Sequence, residues 1–257
     1  MLKIRHSDPI KYFEYKFLAD RGTKAILTGR SDQYKSERKF KAAIYQQLGL
    51  NYNNIIQPMQ IHSSSILIIK QGNIYNNKHP ISADAVITNK NKITLQGLFA
   101  DCVPIYFYNA DNSVRALVHS GWKGTGKAIA AKTLGILKSW YSIKPQDVHI
   151  LIGPSISQKY YEVDKRVYKY FQQNQPQLIS KHEQEFFQEI KNNSNKFFLD
   201  LKSANYHILN QAGADPRKIY VSDLCTYSNP NFYSYRKEGN QAGRMLALLI
   251  ADSKKVE

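Results

Sequence analysis

From residue 63 to residue 120 the chain passes through a succession of short apolar runs, and this stretch limits the fold more than any other. The runs "SSSILIIK", "DAVIT", "ITLQGLFADCVPIYFYN" and "VRALVHS" are brief and rich in β-branched and aromatic residues. That composition predicts successive strands. The pair "DN" at 111–112 predicts a turn between the last two. "VHILIGPSI" (148–156) predicts another strand, stopped at Gly153-Pro154, and "KIYVSDLCTYS" a further one.

Helical patterns surround these strands. "SERKFKAAIYQQLG" (36–49) carries Phe40, Ile44 and Leu48 at helical spacing and ends on Gly49, a C-cap residue. Ile129, Leu134, Leu137 and Trp140 predict a helix from about Gly126 to Trp140, and further helices are expected at 163–171 and 181–191. Another helix should run from Asp200 as N-cap to Gly213 as C-cap. "GRMLALLIADS" predicts a terminal helix. Hairpins and helices are mixed rather than strictly alternating, so the expectation is α+β. One domain over residues 1–257 is the simplest organisation, with the charged, amide-rich stretch 172–196 as an excursion from it.

With 42% hydrophobic and 12% aromatic residues, a chain of this length can bury a sizeable core. The formal net charge is +16, but the lysines are scattered, without a basic block or an arginine-rich arm. The excess reads as solvated surface, and nucleic acid is not the expected partner. No run reaches the length of a membrane span, and the N-terminus lacks the apolar core of a signal peptide. Two cysteines, Cys102 and Cys225, are too few for a disulfide scaffold. The expectation is a cytoplasmic protein with reduced thiols.

Within "VHSGWKGTGKA" (118–128), Gly121, Gly126 and Lys127 reproduce the spacing of a phosphate-binding P-loop. Ala128 stands where that loop needs a hydroxyl for Mg²⁺. The histidine ending the preceding strand suggests a different purpose. His62 in "MQIHSSSI", Cys102 in "FADCVPIYF" and His119 in "LVHSGW" all flank runs that must be buried. Their wide separation excludes a local zinc finger but allows convergence from neighbouring strands. Two imidazoles and a thiolate suit Zn²⁺ and leave a fourth position open. The zinc-deaminase signature is absent, because Ser64 rather than Glu stands two after His62 and no second cysteine follows Cys102. Blue copper would need an axial Met, and on a strand Met59 and His62 would face opposite sides. A Cys102–His119 hydrolase dyad stays open. Arg30, Arg236 and Arg244 stand beside glycines or aromatics and are candidate anion ligands.

Together these motifs resemble the YfiH or laccase-domain family, formerly called multicopper polyphenol oxidases. The matching pieces are "QIHS", "DAVIT", "ADCVPIYFYN", "VHSGWKGTGKAI", "IGPSISQKYYEVD", "DLKSANYHIL", "DLCTYSNPNFYSYRKEG" and "GRMLALLIA", in family order over roughly residues 55–250. The resemblance implies an α+β single domain with a mixed β-sandwich core flanked by helices. It implies zinc on His62, Cys102 and His119, with copper as the alternative metal. The implied reaction is phosphorolysis of adenosine, inosine, guanosine or methylthioadenosine to base and ribose 1-phosphate, with purine nucleosides and inorganic phosphate as partners. Adenosine deamination, copper-dependent phenol oxidation and editing of peptidoglycan precursors are the other activities it implies. In this reading Arg30, Lys123 and Arg236 hold phosphate, and Asp101 orients a ligand imidazole or shuttles a proton. The chain departs from the family pattern at its start, where "LTGRSDQYKSERKF" keeps only Arg30 of Thr-Arg-x-Gly-Gly-Val-Ser. Ser63 replaces the usual glycine after the first histidine, and Ala242 replaces a threonine.

Overall fold

The computed structural model describes residues 2–5, 10–15, 23–34, 36–70, 75, 79–109, 113–191 and 193–251. The strands are β1 (Leu2–Arg5), β2 (Tyr12–Tyr15), β3 (Thr23–Thr28), β4 (Ile55–Ile56), β5 (Ile66–Ile69), β6 (Ala85–Thr88), β7 (Thr94–Phe99) and β8 (Val103–Asn109). They continue with β9 (Arg115–Ser120), β10 (Val148–Ile152), β11 (Glu162–Asp164), β12 (Phe187–Ile190), β13 (Asn193–Leu199), β14 (Ile219–Val221) and β15 (Met245–Ala251). The helices are α1 (Glu37–Leu48), α2 (Trp122–Gly126), α3 (Ile129–Tyr141), α4 (Lys165–Asn174), α5 (Pro176–Phe186), α6 (Leu201–Gln211) and α7 (Tyr235–Glu238).

Two mixed six-stranded sheets form the body of the molecule, in the orders β1-β2-β3-β15-β7-β4 and β14-β10-β8-β9-β6-β5. Strand alternation sorts their side chains into layers. Tyr106, Tyr108 and Leu117 of the second sheet pack with Phe13, Leu27, Leu95 and Met245 of the first. The opposite face of β8 and β9 carries Val103, Ile105, Phe107, Ala116 and Val118, which pack with Leu134, Phe171 and Ile208 of α3, α4 and α6. Helix α1 covers the outer face of the first sheet through Phe40 and Ile44, against Ile26 and Leu248. Every residue of β8 and β9 is buried. At about 1.5–3 kcal/mol for each large apolar side chain, this fixes their register firmly. The α+β class and the sandwich expected from the sequence are both present.

Most expected boundaries hold, and the exceptions have physical causes. Helix α1 starts at the Ser36 cap and stops at Gly49, whose φ of 65° is left-handed. The helix expected at 126–140 is α3, which starts only at Ile129 because Ala128, with a φ of 53°, separates it from the short α2 before it. The pattern at 181–191 changes at Phe187 into β12, which pairs with β13. "GRMLALLIADS" is strand β15 rather than a helix, between β3 and β7. A strand buried on both faces reads as a continuous apolar run, which periodicity alone does not separate from a helix. The turn expected at 111–112 lies outside the described residues.

Candidate metal centre

The ladder between β8 and β9 pairs Val103 with Ser120 and Pro104 with His119. One further step sets Cys102 opposite Gly121, and alternation aims Cys102 and His119 toward the space between the sheets. The β6–β9 ladder pairs Ala85 with Val118, so Asp84 falls opposite His119, and the His119 backbone N–H donates to the Asp84 carbonyl at 2.7 Å. His62 arrives from the segment before β5. Its left-handed φ of 56° is strained for a non-glycine residue by on the order of 1 kcal/mol.

Asp84 holds that conformation in place. One carboxylate oxygen accepts the His62 N–H at 3.0 Å and bonds His119 Nδ1 at 2.8 Å. The other accepts the Ser63 N–H at 2.6 Å, the Ser63 hydroxyl at 2.7 Å and, longer, the Ile61 N–H at 3.4 Å. Ser63 thereby adds a hydroxyl donor to the carboxylate. These donors outweigh the cost of burial and lower the Asp84 pKa to about 2. With Nδ1 committed to Asp84, His119 keeps Nε2 for a ligand, the carboxylate–histidine arrangement that orients metal-binding imidazoles.

His62 Nε2 lies 4.0 Å from Cys102 Sγ, and one donor atom from each of His62, Cys102 and His119 lies within 4.8 Å of the others. A tetrahedral zinc with bonds of ~2.0 Å to nitrogen and ~2.3 Å to sulfur needs its donors roughly 3.3–3.6 Å apart. The set therefore fits a cation after shifts of a few tenths of an ångström to about an ångström. Burial opposes ionisation of Cys102, but the charge and hydrogen bonding of His119, with His62, lower the thiol to about 6. Burial likewise opposes protonation of His119, while Cys102 and Asp84 raise it to about 9. Without a cation, the imidazolium supplies the positive charge that stabilises the thiolate.

The glycines of "HSGWKGTGKA" serve close packing rather than unusual dihedrals, and Gly121 makes room for this centre. Gly121 has φ −78° and ψ 178°, open to any residue. A β-carbon there would lie 2.9 Å from Cys102 Sγ and 3.4 Å from His62 Cδ2. One at Gly126 would strike the Tyr170 ring at 2.7 Å. The P-loop spacing is coincidental.

His62 and His119 line one end of a cavity of 780 Å³. Lys41, which is ion-paired with Glu37 one turn back on α1, and Arg244 supply cations to its wall, while Tyr45, Tyr52 and Tyr235 supply rings. Gln57 and Gln96 form a relay in that wall. Gln57 Oε1 accepts from Lys41 Nζ at 2.7 Å and from Gln96 Nε2 at 2.6 Å, and Tyr45 donates to Gln96 Oε1 at 2.8 Å. Met59 lines the same cavity as His62. The expectation that they face opposite sides fails because residues 60–65 form no strand.

The other expected site residues have partners of their own. Arg30 bonds the Glu238 carboxylate at 2.6 Å and stacks 4.5 Å over Tyr233, outside the cavity lining. Arg236 donates to the Glu162 carbonyl at 2.7 Å and stacks on Tyr161. Lys123 is exposed on α2, beside the Trp122 ring. Asp101 is buried, and its carboxylate accepts from the Thr226 and Ser234 hydroxyls at 2.6 and 2.9 Å and from the Arg236 N–H at 2.7 Å. It ties the β7–β8 turn to the 226–236 segment, and the carboxylate on His119 is Asp84. In the sequence Asp84 only opens the strand "DAVIT", and Lys41, Gln57 and Gln96 belong to no motif, so none of the four stands out there.

The family model described as multi-copper polyphenol oxidoreductase laccase matches residues 26–252. The chain belongs to this laccase family. A relative named purine nucleoside phosphorylase YlmD, from Bacillus subtilis (strain 168), is 36% identical over 175 residues, covering 65% of this chain and 58% of the relative's length. A protein of the same name from Geobacillus stearothermophilus is 31% identical over 196 residues, covering 74% of this chain and 69% of that one. The laccase-family fold is shared with the crystal structure of Bacillus licheniformis hypothetical protein YfiH, at TM-score 0.84 and 24% identity over 96% of this chain and 98% of that one. The structure of YlmD from Geobacillus stearothermophilus superposes at TM-score 0.81 with 23% identity, over the same shares of the two chains. Among the described residues no helix is long and apolar enough to cross a membrane.

Proposed function

We propose that this chain is a zinc-dependent purine nucleoside phosphorylase. The observation that carries the reading is the convergence of Cys102 with two imidazoles, His62 and His119, that line a cavity whose wall also carries Lys41 and Arg244. The names of its relatives point to the same chemistry. His62, Cys102 and His119 would hold the zinc, which would supply Lewis-acidic charge to the reaction.

The remaining work falls to the chain's own groups. Lys41 and Arg244 draw inorganic phosphate into the cavity, and the planar guanidinium suits two phosphate oxygens at once. Gln57 holds the Lys41 ammonium in position. Tyr52 and Tyr235 offer ring faces to the purine. In phosphorolysis a phosphate oxygen bonds to the anomeric carbon as the bond from that carbon to the base nitrogen breaks. The base leaves with the electron pair and takes a proton, giving free base and ribose 1-phosphate. Holding both reactants beside one another removes much of the entropic barrier to their meeting. Adenosine, inosine, guanosine and methylthioadenosine are the substrates we assign, with adenosine deamination as a side activity of the same centre.

The test is release of free base from adenosine by purified protein, with and without phosphate, in wild type and Cys102→Ala. Phosphate-dependent release that the variant lacks supports the reading. Phenol oxidation only after copper loading would favour the copper enzyme instead. Retained activity without metal, abolished by alkylating Cys102, would favour a cysteine hydrolase.

A further inference from the structure

The α5–β12 excursion packs against α6 and builds a second cluster of donor side chains. His182 and Glu185 stand three residues apart on α5, so they share a helix face. His207 on α6 meets them from the other side. Glu185 bonds His182 Nδ1 at 2.7 Å through one oxygen and His207 Nε2 at 2.9 Å through the other. The two imidazoles stack with centroids 4.3 Å apart and planes 21° apart. One donor atom from each of the three residues lies within 4.8 Å of the others.

The framework around the cluster is fixed by bonds to backbone carbonyls, which leave its donor side chains free to act. Asp200 N–H donates to the Phe186 carbonyl at 2.7 Å, and the Ser203 hydroxyl donates to the Glu185 carbonyl at 2.9 Å. These lock the end of α5 to the start of α6. His207 is 8% exposed, and its Nδ1 is buried with no hydrogen-bond partner. Facing the Glu185 carboxylate, Nε2 carries the ring proton in the metal-free protein, and Nδ1 can take that proton when Nε2 turns its lone pair to a cation. The side chains of His182 and Glu185 are 27% and 52% exposed, which leaves a side open to water.

We propose that His182, Glu185 and His207 form a second metal site, for a divalent transition cation such as Zn²⁺, that staples α5 to α6. Two imidazoles and one carboxylate are a three-ligand zinc set with a fourth position for water. The donor set favours such a cation over Ca²⁺ or Mg²⁺, which require oxygen ligands. On binding, each ring proton now facing Glu185 moves to the other nitrogen of its ring. The site shares no residue with the His62–Cys102–His119 centre, so it stands whether or not the phosphorylase reading holds.

The experiment is equilibrium dialysis of metal-stripped protein against Zn²⁺ alone, followed by metal analysis, for wild type, Cys102→Ala, His182→Gln and Cys102→Ala/His182→Gln. Wild type should take up two equivalents, and Cys102→Ala and His182→Gln one each with high affinity. The double variant should bind Zn²⁺ at least tenfold more weakly than Cys102→Ala. Zinc should raise the Tm of Cys102→Ala and leave that of the double variant unchanged. Circular dichroism of the metal-free variants checks folding, since the His182→Gln change lies on a partly exposed helix face. No zinc uptake by Cys102→Ala, or equal zinc affinity in Cys102→Ala and the double variant, would overturn the site, whatever the other centre holds.

Discussion

Gly121 stands across the β8–β9 ladder from Cys102, and a β-carbon on Gly121 would lie 2.9 Å from the Cys102 sulfur. The close approach concerns space and not backbone freedom, because the Gly121 dihedrals suit any residue. Gly121→Ala should therefore fold with a Tm near wild type. It should push Sγ away from the two imidazoles and weaken zinc binding by on the order of tenfold or more, as lost support of a metal ligand does. Competition against a chelator of known affinity measures this, and unchanged affinity would show that the thiol relocates freely.

Asp84 is both a ligand-orienting group and a structural acceptor. Asp84→Ala removes the partner of His119 and leaves the N–H groups of His62 and Ser63 without their acceptor. The expected cost is about 2–4 kcal/mol of stability, with metal affinity reduced about 10–100-fold. Denaturant unfolding and a chelator titration report the two effects separately. Asp101→Ala should differ, losing stability through Thr226 and Ser234 without releasing His119.

Acid pH should act through the same carboxylate. The Asp84 pKa falls from 3.8 unfolded to about 2 folded, so its stabilisation is present above pH 4 and lost as pH drops toward 2. The linked contribution is about 2 kcal/mol, shared with His119 and counted once. Unfolding free energies for wild type and Asp84→Asn should converge over that window, and parallel curves would contradict the assignment.

In metal-free protein Cys102 titrates near 6 because imidazolium stabilises its thiolate. A depressed thiol pKa means thiolate is present above that pH, so iodoacetamide should modify Cys102 faster as pH rises through 6. His119→Ala should move the midpoint upward toward an ordinary thiol, and zinc should protect Cys102. Peptide mapping by mass spectrometry separates Cys102 from Cys225. A midpoint near 9 in metal-free wild type would remove the imidazolium–thiolate pair from the account.

The sequence made the strands that carry Cys102 and His119 legible because both residues sit at the ends of short runs bounded by loop formers. Two strand ladders then determine what each donor meets, and pairing partners are invisible in one chain's order. Asp84 was hidden for that reason: it opens an apolar strand, and only the β6–β9 register sets it against His119. Arg30 and Arg236 stand among aromatic neighbours, which suit a stacked, carboxylate-bound or carbonyl-bound arginine as well as a phosphate ligand. Strand β15 read as a helix because burial on both faces erases its period.

Placing the anion site at Lys41 and Arg244 separates it from Arg30. Lys41→Ala and Arg244→Ala should raise KM for phosphate by on the order of tenfold or more each, the effect of losing a charged hydrogen bond. Arg30→Ala should chiefly lower stability by releasing Glu238. Steady-state kinetics with phosphate as the varied substrate decide between them, and the reverse ranking would return the phosphate to Arg30.

Zinc-edge X-ray absorption on His182→Gln protein, loaded to one equivalent, tests the central claim most directly. A first shell containing one sulfur at ~2.3 Å and two imidazole nitrogens at ~2.0–2.1 Å is the predicted result, with the sulfur missing in Cys102→Ala. A shell of nitrogen and oxygen alone, unchanged in Cys102→Ala, would contradict it.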